Sequence, residues 1–164
     1  METKQEEKKN YAKRDSYALA FKMIDDALKH GCPLQAITIE ESILTDRLSS
    51  TLNVGKEITK PCDSLGDALN KWKPRNPRTS PDPNARLFDE EITTLFPKLD
   101  SWRRERNALL HGLAKSAQGG KPEIEAAEFL IRAVQAANDG LHLVEKVKRW
   151  SAKQIRKAKK GGIK

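Results

Sequence analysis

The sequence lacks most of what a metal-dependent, disulfide-stapled or membrane-spanning protein needs. It has two cysteines, Cys32 and Cys62, far apart and in no C-x-x-C pattern. They make neither a zinc set nor a disulfide framework, and free thiols in a reducing compartment are the plain reading. No apolar run approaches the roughly eighteen residues that cross a bilayer. The opening M-E-T-K-Q-E-E-K-K-N is charged and without a hydrophobic segment. A secretory signal is therefore not expected, and a cytoplasmic location is. Phosphate-loop, zinc-protease and nucleophile-elbow motifs are missing, and His30, His111 and His142 share no metal-ligand spacing. Glu40-Glu41 and Asp89-Glu90-Glu91 are runs of acids of the kind that mark a solvated helix face. The chemistry to be expected needs no metal and no cofactor.

What is present fits one ordinary domain. The 164 residues are 37% hydrophobic and 33% charged, enough for a single core under a wide polar surface. The formal charge of +8 is local. From Lys146 to Lys164 there are nine basic residues and no acid, so the rest of the chain sums to about −1. Such a block favours polyanions through counterion release; its plainer role is to keep the chain soluble. A domain over residues 1–150 and a basic tail over 151–164 are expected.

Helical periodicity runs almost throughout. Tyr17, Ala20, Phe21, Ile24, Ala27 and Leu28 recur at three- and four-residue steps, which predicts a helix from Tyr11 to His30. Gly31 and Pro33 end it and open a second helix, to about Leu52, on Ile37, Ile43, Leu44, Leu48 and Leu52. A short amphipathic piece, S-L-G-D-A-L-N-K-W, covers residues 64–72. Four prolines between Pro74 and Pro83 then predict an exposed loop carrying Arg75 and Arg78. Arg86 to Leu99 reads as a third long helix on Phe88, Ile92, Leu95, Phe96 and Leu99, ended or kinked by Pro97. Another follows, with Asp100 or Ser101 as N-cap. After a break at Q-G-G-K-P, a last helix spans Pro122 to Trp150 on Ile124, Ala127, Leu130, Ile131, Val134, Leu141 and Val144. It should fade into the basic tail. The fold class expected is an all-α up-and-down bundle of four to five main helices.

The stretch S-W-R-R-E-R-N-A-L-L-H-G, residues 101–112, holds the densest chemistry. At about 100° per residue, Trp102, Leu109, Leu110 and Leu113 lie within roughly 60° of Arg106, so its guanidinium points along the apolar face. His111 lies about 140° away, on a polar stripe with Asn107, Arg104 and Lys115. A buried guanidinium needs a partner. One solution is a homodimer, in which each histidine meets an arginine of the other chain across a two-fold axis. Another is an intramolecular ion pair with an acid of the second helix, Glu41 or Asp46.

Arg106-Asn107-Ala108-Leu109-Leu110-His111 has the form R-N-x-x-x-H on a helix of an all-α domain. In this it resembles the HEPN superfamily, helical-bundle ribonucleases and their inactive relatives with an R-x(4–6)-H signature. The resemblance covers most of the chain; the proline–arginine loop and the lysine tail lie outside the family pattern. It implies metal-independent RNA cleavage to a 2′,3′-cyclic phosphate and a 5′-hydroxyl. His111 would move the proton and Arg106 would stabilise the phosphate, with Asn107 orienting one or the other. Arg103, Arg104 and Lys115 would hold the RNA backbone. The implied roles are a toxin of a toxin–antitoxin pair or an antiviral-defence effector, restrained by an antitoxin or other regulatory partner. A non-catalytic HEPN module that binds RNA or a partner protein is the alternative. A DNA-binding or adaptor protein is the weakest reading, since no helix pair has helix-turn-helix spacing.

Overall fold

The computed structural model describes residues 2–54, 60–72, 90–115 and 125–160. Five helices account for them: α1 (Glu2–Lys29), α2 (Pro33–Val54), α3 (Leu65–Trp72), α4 (Glu90–Lys115) and α5 (Ala126–Lys160), with no strand. The proline–arginine segment, Phe88, Ile124 and the Q-G-G-K-P break lie outside the described residues, as do the side chains of Ile92, Leu113 and Lys115.

Local chemistry sets the turns. Gly31 takes a left-handed φ of 69° at the end of α1. Its amide donates to the Leu28 carbonyl (3.2 Å), and the Cys32 amide reaches the Ala27 carbonyl (2.8 Å), closing the double cap that only glycine adopts without strain. Pro33 opens α2, where its missing N–H costs no helical bond. Ser64 caps α3, its hydroxyl accepting from the Asp67 amide at 3.1 Å.

Contacts across the bundle fix the directions. Lys13 of α1 pairs with Asp46 of α2 (2.9 Å), and Tyr17 donates to the same carboxylate. Trp102 of α4 donates to the Ala136 carbonyl of α5 (2.7 Å), while Glu91 at the start of α4 meets Lys153 (3.1 Å). Thr51 of α2 and Ser151 of α5 share a buried hydrogen bond of 2.7 Å, and Glu40 lies against Gly140. Thus α2 and α5 run parallel at the centre, with α1 and α4 antiparallel to them on either side: an up-and-down bundle. Helix α3 closes one end, where Trp72 donates to the Leu48 carbonyl (3.2 Å) and meets Trp150 edge to face, centroids 5.0 Å apart.

The helices depart from the sequence pattern in several places. Helix α1 starts at Glu2, not Tyr11, because Glu, Lys and Gln favour helix even where no apolar stripe continues. Pro97 ends nothing: α4 runs through it. Leu95 and Leu99 are buried on either side while Pro97 is exposed, so packing offsets the roughly 3 kcal/mol that an interior proline costs. Asp100 is accordingly no N-cap. Nor does the last helix fade at Trp150; it continues to Lys160 with Ser151 and Gln154 buried, so the expected start of the tail falls inside a packed helix.

The inner face of α5 also differs from the expected one. Leu130, Ile131 and Val134 are exposed, Ile131 by 71%. The buried line is instead Ala133, Ala136, Ala137, Gly140, Val144, Val147 and Trp150. Small residues let α5 approach α2 closely, so size misled where spacing would not have.

Candidate functional site

Helix α4 carries every sequence-predicted site residue except the side chain of Lys115, of which nothing is described. Arg106 turns toward α2. Its Nη2 forms an ion pair with Glu41, both side chains being mostly buried (21% and 15% exposed). Its Nη1 donates to Asn107 Oδ1 at 2.6 Å, and Nε is buried without a partner. Burial pulls the guanidinium below its ordinary pKa. The intramolecular solution therefore holds for Arg106, and Glu41 supplies it. Asp46, the other acid considered, is taken by Tyr17 and Lys13. Burial and that hydrogen bond raise the Tyr17 pKa, while Arg47 stacks 4.0 Å above its ring.

Arg106 sits in an open groove of about 460 Å³ between α2 and the segment Pro61–Ser64. Glu41, Asp46 and Asp63 also line it, so three acids and one arginine share the groove. In this arrangement Arg106 is engaged by Glu41 rather than open to a phosphate. His111 is exposed and is not among the lining residues. The structure thus brings Arg106 and Asn107 together and leaves His111 apart, as the helical angles require.

Arg103 and Arg104 share one acid. Arg103 donates to Asp100 Oδ1 (2.8 and 3.1 Å) and Arg104 to Oδ2 (2.9 and 3.0 Å), pairs that hold the Asp100 carboxyl below its usual range. The side chain of Arg104 stays 74% exposed and that of Arg103 28%.

Glu40 lies inside the bundle, against expectation. It is fully buried, with no hydrogen-bond partner for either oxygen, and desolvation raises its pKa to about 8. Reading Glu40-Glu41 as a solvated pair is wrong for both members. The signal was there: Glu40 follows Ile37 by three and precedes Ile43 and Leu44 by three and four, squarely on the apolar face.

A second open groove, about 760 Å³, lies between α4 and α5. Trp102, Lys98, His142 and Lys146 line it, with the Glu105–Arg132 ion pair (2.8 Å). Among the described residues no group of three or more His, Cys, Asp or Glu is placed to hold a metal, and no helix is long and apolar enough to cross a membrane. Comparison with protein-family models, curated proteins and solved structures finds no match.

Proposed function

We propose that this chain is a metal-independent endoribonuclease of the HEPN type, with its site completed in a homodimer and its activity restrained by an antitoxin or similar partner. The observation that supports the reading is the R-N-x-x-x-H segment itself. It lies on a long helix of an up-and-down bundle, with Asn107 hydrogen-bonded to Arg106 and His111 accessible one and a half turns on. An exposed imidazole can take the 2′-hydroxyl proton while the oxygen attacks phosphorus. Attack breaks the bond to the 5′-oxygen, which takes a proton from water and leaves as a hydroxyl, and the phosphate closes as a 2′,3′-cyclic diester. Arg106 would neutralise the extra charge on phosphorus once its hold on Glu41 is exchanged for the substrate. The test is RNA cleavage by the wild type and His111→Ala, in EDTA and without it. Cleavage that survives EDTA and disappears with the alanine supports the proposal; equal behaviour of the two proteins refutes it.

The Arg106–Glu41 pair, among further carboxylates, favours a second reading: a non-catalytic module of the same kind that binds RNA or a protein. Under it His111→Ala changes nothing, and binding depends on basic side chains elsewhere.

A further inference from the structure

The basic residues of α5 are not a loose tail. Because the helix continues to Lys160, His142, Lys146, Arg149, Lys153 and Arg156 fall at three- and four-residue steps, with Lys157 next to the last, and all are exposed. At 100° per residue they lie within about 60° of one line down the helix, and Lys146 to Arg156 covers roughly 15 Å. Lys98 of α4 joins Lys146 and His142 across the groove between the helices. Among the described residues, Lys146 and Arg156 have no acid partner, and Arg149 contacts only the Glu145 carbonyl (3.3 Å). Lys153 is paired with Glu91.

We infer that this row is a track for the phosphate backbone of a nucleic acid, at a site separate from Arg106 and His111. A rigid helix that presents aligned cations binds a polyanion with less ordering cost than a flexible tail carrying the same charge. The Lys153 end of the track is remote from His111, while its His142 end borders the groove lined by Trp102 and Glu105. Lys153 meets the start of α4 at Glu91, whereas His111 lies beyond Glu105, near the other end of that helix. The separation along α4 is roughly 30 Å at 1.5 Å per residue. An anionic membrane is the poorer partner, because interfacial helices need a free apolar face opposite the charge. Here that face, Val147, Trp150, Ser151 and Gln154, is buried in the bundle. The inference does not depend on His111 being a catalyst.

The test is a full-length triple variant, Lys146→Glu with Arg149→Glu and Arg156→Glu, all at exposed positions. Its unfolding curve should match the wild type. The probe is a short fluorescent 2′-O-methyl oligoribonucleotide, which binds but cannot be cleaved through its 2′-oxygen, so binding is read independently of catalysis. The variant should lose at least about tenfold in affinity, and the salt slope should fall by about 2, at about 0.7 per lost contact on a single strand. An unchanged affinity and slope overturn the inference. So does a variant that keeps oligonucleotide binding but no longer binds phosphatidylserine vesicles that the wild type binds, since the row would then serve a membrane.

Discussion

Glu40 of α2 is packed against Gly140 of α5, its two carboxylate oxygens buried and without a hydrogen-bond partner. A Cβ at position 140 would overlap that carboxylate and come within 2.8 Å of the Trp102 ring. A glycine, an acid and an indole thus share one point where α2, α4 and α5 meet.

The buried Glu40 makes stability depend on pH. The Glu40 pKa is raised from 4.5 to about 8, so between those values the folded chain holds a proton that the unfolded chain has lost. Stability from this group is fully present below pH 4.5 and is lost as pH rises through 8. The total effect is on the order of a few kcal/mol. Glu40→Gln should flatten the dependence, and Glu40→Leu should melt higher than wild type in alkaline buffer. Parallel curves of Tm against pH for wild type and Glu40→Gln would falsify the account.

Gly140→Ala should destabilise by about 1–3 kcal/mol through overpacking. Combining it with Glu40→Ala should recover part of the loss, because the added methyl then has room. A double-mutant cycle in urea measures the coupling. Simple additivity would show that the two residues do not share the space.

Removing the partner of Arg106 should hurt folding. Glu41→Gln leaves a mostly buried guanidinium without its counter-ion, at a cost of about 1–3 kcal/mol. His111→Ala, at an exposed position, should stay within about 0.5 kcal/mol of wild type. Chemical denaturation of both variants provides the comparison. A large loss from His111→Ala would mean that the imidazole is structural.

Truncation before Ser151 should lower Tm, because it removes the Thr51–Ser151 hydrogen bond and the buried Gln154. A thermal melt equal to wild type would show that the helix beyond Trp150 adds nothing to the core. Charge changes on the surface, rather than deletion, are the clean way to probe the basic residues.

Much of this was legible in the chain. The stripes of α1 and α2 mark their inner faces correctly, since large residues at helical spacing fill the core there. The divergence of Arg106 from His111 follows from 100° per residue. Periodicity weighted by size went wrong on α5, where close packing selects alanine and glycine. It also allowed Pro97 to end a helix that in fact runs through it, because the packing that offsets the lost hydrogen bond comes from other helices.

By itself the sequence determined which residues of a given helix lie on one face and which diverge, for this depends on a fixed rotation per residue. The partner each face meets depended on tertiary packing. Only the assembled bundle gave Arg106 the carboxylate of Glu41, sealed Glu40 against Gly140 and drew the basic end of the chain into α5. Those relations join residues far apart in sequence, and helical spacing carries no information about which helices pack together.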